Sequence, residues 1–424
     1  MKQENLMSRK KGLIWEGMLI GIFSGGMAAF YRWLLGVCDE ERRTLLSFFG
    51  QNIWRMLLWM VILIGIVWIV SVLCRKEPMI SGSGIPQIEG EFHGKLKANP
   101  IRVIAMKLLG GSLSILGGLS LGREGPSVQI GGMGGAFLSD RFRREGEEKQ
   151  FLLLCGAAAG LSAAFNAPLA GILFAVEEIY KSVSPPFLFS VMISSVAADY
   201  LSKICFGTGT VFAFPLLAQI PLQDYWLLLL LGIIVGVFGT VYNKTLLFTK
   251  KQYDKIRHPF VRVLIPFLVA GILGFTLPQV LGGGHRMVEM LTQPGWMVSS
   301  IAVLLLVKFL FSMLSFGSGA PGGIFFPLLV LGAYIGAIYA QIAIGFWGVD
   351  GAALYSLIVM AMAGYFTSIV HAPITGIVLL CEMTGSFQNL LPISFVCTVS
   401  YLVTNLMKNQ PIYDSLLERI LNQE

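Results

Sequence analysis

Residues 53 to 73 read IWRMLLWMVILIGIVWIVSVL, with Arg55 as the sole charge. About 20 consecutive apolar residues are enough for a helix to cross a bilayer. This kind of run restricts the chain more than any other feature it has. In hydrocarbon every backbone N–H and C=O has to be satisfied internally, which leaves helices or a closed barrel. Comparable runs extend from Leu13 to Val37, Leu227 to Leu247, Val261 to Leu277, Val298 to Phe316 and Leu390 to Met407. They carry no strand-like alternation, so the expected class is an all-α polytopic membrane protein. Only 13% of residues are charged, against about 25% in soluble domains. The net charge of +7 is spread over loops and tails, as in the positive-inside bias of membrane proteins, and not in a nucleic-acid-binding patch.

A second set of apolar stretches is too short or too interrupted to cross: 104–119, 127–138, 151–165, 168–179, 325–339, 354–366 and 373–383. Such segments are expected to stop inside the bilayer, where neighbouring protein or a watery cavity covers their ends. The 49 glycines of 424 residues, roughly 12% against a usual 7%, suit close helix packing and broken helices. The reading is one membrane domain, 1–424, with a short cytoplasmic tail at 1–12 and a C-terminal segment at 408–424. Lys2, Arg9, Lys10 and Lys11 precede the first run, acidic-on-balance CDEERR (38–43) follows it, and CRKEP (74–78) follows the second. This places the N-terminus and 74–78 on the cytoplasmic side.

The chain also repeats itself. Residues 107–136 and 308–337 share, at constant offset, Lys107/Lys308, Leu109/Leu310, Leu113/Leu314, Ser114/Ser315, Gly118/Gly319, Gly122/Gly323, Pro126/Pro327, Gly131/Gly332 and Gly135/Gly336. NAPLAGILFAVEE (166–178) then matches HAPITGIVLLCEM (371–383), with Glu177 opposite Glu382. Two homologous halves, roughly 13–205 and 223–407, are typical of transporters with a substrate site at the repeat interface.

Three short motifs recur: GSGIP (82–86), GREGP (122–126) and GIFFP (323–327). Proline suits a first helical turn, where its missing N–H is an orphan donor anyway. The glycines (Gly82, Gly84, Gly122, Gly125, Gly323) let the chain bend beside Pro86, Pro126 and Pro327. A helix start presents free N–H groups and about half a positive charge. Several converging starts would bind an anion without a full cation, weakly enough to release it. Ordinary Gly/Pro turns are the plain alternative for any one motif; three motifs, two at equivalent repeat positions, favour the anion site.

Glu124 stands out among these residues. A carboxylate inside the membrane costs roughly 2.5–3.5 kcal/mol, which makes it a functional candidate by default. At a helix start it can occupy the anion site itself, and protonation would release it. Pairing with neighbouring Arg123 is the other reading of the same residue. The six cysteines and four histidines show no metal or disulfide spacing, and no nucleophile–base set marks an enzyme.

The motifs GSGIP, GREGP with SVQIGG, SGAPGGIFFP and the FNAPLAGILFAVEE/HAPITGIVLLCEMT pair resemble the CLC family of chloride channels and chloride/proton antiporters. The resemblance covers nearly the whole membrane domain and implies two inverted-topology repeats. It implies that Ser83, the amides of Ile324 and Phe325, and Tyr413 in PIYDSLLER bind the anion. It implies further that Glu124 is the external gate and Glu178 the internal proton-transfer group, and that chloride and protons are substrates with no cofactor. Glu178 at this position favours an antiporter over a passive channel. Retained Ser83 and Tyr413 favour chloride over fluoride or nitrate. A homodimer with a pore in each subunit is also implied, its interface near 168–205 and 373–407. So is a prokaryotic inner-membrane form, because many eukaryotic relatives carry paired cytoplasmic nucleotide-binding modules after the membrane domain.

The remaining polar residues receive structural expectations. Glu177, with a repeat partner in Glu382, is expected to be structural. Lys107 and Glu89 are expected to form supporting salt bridges. Arg141, Arg143 and Arg144, and the basic group Lys250, Lys251, Lys255, Arg257 and Arg262, are expected in solvated or headgroup-facing loops. His371 is left without a role.

Overall fold

The computed structural model describes residues 2–182, 185–215, 217–293 and 295–422, with side chains described from residue 12 onward and not at 186. The described residues contain helices α1 (Lys2–Phe49), α2 (Ile53–Lys76), α3 (Ile85–Phe92), α4 (Pro100–Leu116), α5 (Glu124–Arg141), α6 (Gly146–Phe165), α7 (Pro168–Phe174) and α8 (Pro185–Phe206). They continue with α9 (Tyr225–Asp254), α10 (Pro259–Thr276), α11 (His285–Met290), α12 (Val298–Gly317), α13 (Phe325–Trp347), α14 (Leu354–Val370), α15 (Pro373–Thr384), α16 (Leu390–Leu406) and α17 (Ile412–Leu421). Among the described residues, nine stretches are long and apolar enough to cross a membrane. The chain is a multi-pass, all-helical membrane protein.

The first span differs from its sequence reading. The stretch CDEERR, expected as a loop, is helical within α1. No proline interrupts it, and Asp39 pairs with Arg42 at 2.6 Å and with Arg43 one turn ahead, which neutralises the charge along the helix. Helix α1 also begins at Lys2, so most of the expected tail is helical. Met1 of that tail, and residues 423 and 424 of the C-terminal segment, lie outside the described residues. Four expected loop residues are helical as well: Arg141 closes α5, Lys250 and Lys251 belong to α9 and Arg262 to α10, and the Lys250 ammonium sits 4.9 Å from the Phe316 ring centre.

The two halves pack alike. Helix α5 lies against α6 through Gly131 and Gly135, where an added Cβ would come within 2.2 Å of the carbonyl oxygens of Gly156 and Leu152 respectively. Their repeat partners Gly332 and Gly336 seat α13 against α14, where a Cβ would approach the backbone of Met362 and Ile358 to 2.8 Å. Glycine here permits a backbone approach that no side chain would. The inverted relation is visible at Gly122 and Gly323. They form an antiparallel bridge, each donating its N–H to the other's carbonyl, at 2.7 and 2.8 Å. Reciprocal pairing of equivalent residues is what a local two-fold axis between the halves requires.

The symmetry extends beyond the aligned blocks. A 3-10 turn at Pro78–Ile80 precedes Gly82, Ser83 and Gly84; a 3-10 turn at Pro278–Val280 precedes Gly282, Gly283 and Gly284. In both, the last glycine is left-handed, with φ of 96° at Gly84 and 98° at Gly284, and a helix follows at once. Thus α11 is the counterpart of α3, and four helix starts are related in two pairs: α3 with α11, α5 with α13.

Candidate functional site

The loops before these starts are tied together by backbone hydrogen bonds. Besides the Gly122–Gly323 pair, Gly322 donates to the Gly82 carbonyl at 3.0 Å and Gly82 to that of Gly319 at 3.3 Å. The Ser81 hydroxyl donates to the same Gly319 carbonyl at 2.8 Å. Lys107 and Lys308 complete the frame. Both are fully buried. Lys107 Nζ donates to the carbonyls of Ile80 and Gly82 at 2.8 and 2.7 Å; Lys308 Nζ donates to those of Val280 and Gly282 at 2.9 and 2.7 Å. The salt bridge expected of Lys107 is therefore replaced by carbonyl contacts, because the loop it supports has unpaired carbonyls and no acid within reach. Glu89 does form its salt bridge, with Lys181 at 3.0 Å.

Within this frame Glu124 is the first residue of α5 and Phe325 the first of α13, each followed two residues later by a proline, Pro126 or Pro327. The Glu124 side chain is fully buried, and its carboxylate lies beside the amides of Phe326, Arg123 and Glu124 itself without completing a well-formed hydrogen bond to any of them. A Cβ on Gly122 would lie 2.4 Å from Glu124 Oε2 and 3.1 Å from the Phe326 amide nitrogen. The carboxylate and the amide of the opposite half therefore flank the same glycine. The Arg123 Nε to Glu124 Oε1 distance is 3.8 Å, a salt-bridge contact too long for a hydrogen bond, so the neighbouring arginine acts on the acid through its charge. Glu124 lines a vestibule of about 1380 Å³ that also contains Arg32, Arg42, Arg123, His285 and Arg286.

Ser83 and Tyr413 approach Glu124 from other elements. The Ser83 hydroxyl reaches the start of α5 so closely that a Cβ on Gly125 would lie 2.2 Å from it. Gly84 gives it this position: its left-handed φ and the Gln129 side chain, 2.5 Å from a would-be Cβ, both exclude any other residue. Tyr413, at the start of α17, is fully buried. The hydroxyls of Ser83 and Tyr413 lie near each other, and neither completes a well-formed hydrogen bond within the protein. Ile324 immediately precedes α13 and Phe325 opens it, and first-turn amides have no partner inside a helix. The Phe325 ring packs on Phe165 and Phe366, with centroids 5.1 and 4.6 Å away.

Glu178, which like Tyr413 does not line the vestibule, lies within the field of Tyr413, in a π-helical turn (Ala175–Tyr180) that continues α7. It is buried, and its Oε1 has no hydrogen bond within the protein. Glu177 has a different environment. Its carboxylate accepts from the amides of Ile374 and Thr375 at 3.1 and 2.7 Å, capping α15. Glu382 returns the contact by accepting from Leu169 and Ala170 at 3.0 and 2.8 Å, capping α7. The reciprocal caps satisfy orphan donors at two symmetry-related helix starts.

Three features of the site escaped the sequence reading. Phe326 supplies the amide beside Glu124. Lys308 and the loop at 282–284 form the second support. Lys181 bridges Glu89 and Asp414, at 3.0 and 2.6 Å. Burial disfavours the charge on Lys181, but hydrogen bonds to Asp414 and Glu89 outweigh this and raise its pKa above that of ordinary lysine.

A family model described as "Voltage gated chloride channel" matches residues 66–405. The chain is 36% identical over 365 residues to an H(+)/Cl(-) exchange transporter ClcA of Vibrio parahaemolyticus, a match covering 82% of this chain and 77% of that one. It is 36% identical over 362 residues to the ClcA of Yersinia pestis bv. Antiqua, covering 82% and 75%. The fold superposes on the crystal structure of a slow cyanobacterial Cl-/H+ antiporter with a TM-score of 0.92 at 28% identity, over 97% of this chain and 98% of that one. A CLC-type fluoride/proton antiporter shares the fold at a TM-score of 0.79 and 24% identity, over 95% and 97%. Family model, relatives and architecture agree: this chain belongs to the CLC family of voltage-gated chloride channels and chloride/proton exchangers.

Proposed function

We propose that this chain is a chloride/proton antiporter in which Glu124 is a tethered competitor for the transported anion. One observation carries the reading. Buried polar atoms of Ser83, Tyr413 and Glu124, none with a well-formed hydrogen bond, gather at helix starts held together by the Gly122–Gly323 pair. A buried polar group without a partner costs roughly 1–3 kcal/mol, which a small anion would offset by accepting from the two hydroxyls. The amides of Ile324 and Phe325 complete the anion site, and the glycines and prolines of the three motifs set its backbone. None of these donors is a full cation, so the ion is held weakly enough to leave.

In this mechanism the Glu124 carboxylate closes the anion path toward the vestibule. Protonation removes its charge and its claim on the helix-start amides, and the side chain yields to chloride. Glu178, buried in the neighbourhood of Tyr413, exchanges protons with the opposite side. The vestibule is extracellular, the termini are cytoplasmic, and the membrane is a prokaryotic inner membrane. The repeat halves span roughly 13–205 and 223–407 of one transport domain, which moves ions and catalyses no covalent chemistry. The chain is read as a homodimer with an interface near 168–205 and 373–407.

Reconstitution into liposomes tests the function. A chloride gradient imposed at equal pH is expected to drive protons uphill. Brisk chloride flux without proton movement would make the protein a passive channel.

A further inference from the structure

Lys181 sits where no motif placed a functional residue. It follows the π-helical turn that carries Glu178, in a left-handed conformation with φ of 54°. Its ammonium bridges Glu89 on α3, the helix that Ser83 leads into, and Asp414, the neighbour of Tyr413 on α17. An aromatic cluster fixes the same turn: Tyr180 packs on Phe92 of α3, Phe151 of α6 and Phe187 of α8, at centroid distances of 5.7, 5.8 and 4.4 Å. The groups whose charge acts on Glu178 come from α3, α17 and its own segment. They are Glu89 of α3, Asp414 and Tyr413 of α17, and Glu177 and Lys181 of its own segment. His93 lies within the field of Lys181, and His371 within that of Asp414.

We propose that Lys181 is a positioning residue for exchange: it clamps α3 to α17, fixing the Ser83 and Tyr413 hydroxyls relative to each other, and it is the cation that sets how readily Glu178 holds its proton. The inference rests on the antiporter reading. Among the described groups acting on Glu178, Lys181 is the cation among acids. Without it, Glu89, Asp414 and Glu178 would face one another uncompensated, and like charges favour the protonated form. Its half-exposed side chain keeps the clamp in contact with water at this mouth.

Lys181→Gln in liposomes is expected to move the midpoint of the transport–pH profile, titrated on the Glu178 side, upward by about half a unit or more, because removing a nearby positive charge makes a carboxyl harder to ionise. Asp414→Asn is expected to move the midpoint downward, because it removes a negative neighbour. Lys181→Arg restores the wild-type midpoint. Calorimetric chloride titration of Lys181→Gln is expected to show several-fold weaker binding as the two hydroxyls lose their fixed spacing. An unmoved midpoint with unchanged chloride affinity overturns the proposal. Lower turnover at unchanged midpoint and affinity also overturns it, since a merely structural lysine would do that. If the wild type moves no protons, the antiporter reading fails by itself, and the chloride titration still decides the clamp.

Discussion

Gly122 and Gly323 exchange backbone hydrogen bonds of 2.7 and 2.8 Å across the inverted repeat, so the first turns of α5 and α13 are held as one unit. The consequence is electrostatic. Both helix starts contribute partial positive charge to the same small volume, and the carboxylate of one half lies beside an amide of the other. Preorganisation of this kind lets weak donors bind an ion without a large ordering cost.

Replacing the acid tests its role as gate. Glu124→Gln is expected to abolish proton movement while chloride flux persists, since the amide no longer titrates. Parallel pH-electrode and chloride-electrode recordings on liposomes read both. Loss of both fluxes would assign Glu124 to structure.

Glu178→Gln is expected to eliminate proton movement and to leave chloride movement in place. It differs from Glu124→Gln in keeping the pH dependence of chloride flux that arises at Glu124. The same two electrodes, run across a pH series, separate the variants.

The phenol of Tyr413 lies near the Ser83 hydroxyl and completes no well-formed hydrogen bond within the protein. A hydrogen bond to a charged group contributes about 1.5–3 kcal/mol, so Tyr413→Phe is expected to weaken chloride binding by roughly tenfold to a hundredfold. Isothermal titration in detergent measures this.

The two buried lysines are expected to be equivalent. Lys107→Met and Lys308→Met each strand two buried carbonyls, at roughly 1–3 kcal/mol per group. Thermal unfolding in detergent should fall by similar amounts for both, although Lys308 supports a loop with no assigned ion contact.

Helix contact gives a control pair. Gly131→Ala would press a methyl into the Gly156 carbonyl, 2.2 Å away, and overpacking of this sort costs about 1–3 kcal/mol. Gly36→Ala, with nothing within 4 Å of its Cβ, is expected to be neutral or slightly stabilising, because alanine is the better helix former. Melting temperatures should separate the two.

Much of this was legible in the sequence. The apolar runs carried the membrane class, and the offset pairs from Lys107/Lys308 to Gly135/Gly336 carried the repeat, because equivalent glycines seat equivalent helices. Glu89 was identifiable as a salt-bridge residue, whereas Lys107 was not identifiable as a support for carbonyls. A buried lysine reads as half of an ion pair until the carbonyls it serves are seen. The counterpart of GSGIP was hidden since Gly283 replaces the serine and Arg286 the proline, leaving too few identities to align. Lys181 gave no signal because its partners lie 92 and 233 residues away in the chain.

The central claim is that chloride and the Glu124 carboxylate compete for one site. Chloride affinity measured by calorimetry across a pH series tests it most directly. If chloride displaces the carboxylate, binding takes up a proton, and affinity should rise as pH falls, by up to about tenfold per pH unit. Glu124→Gln should bind chloride with a pH dependence largely flattened. The same rise with acid in wild type and Glu124→Gln would contradict the account.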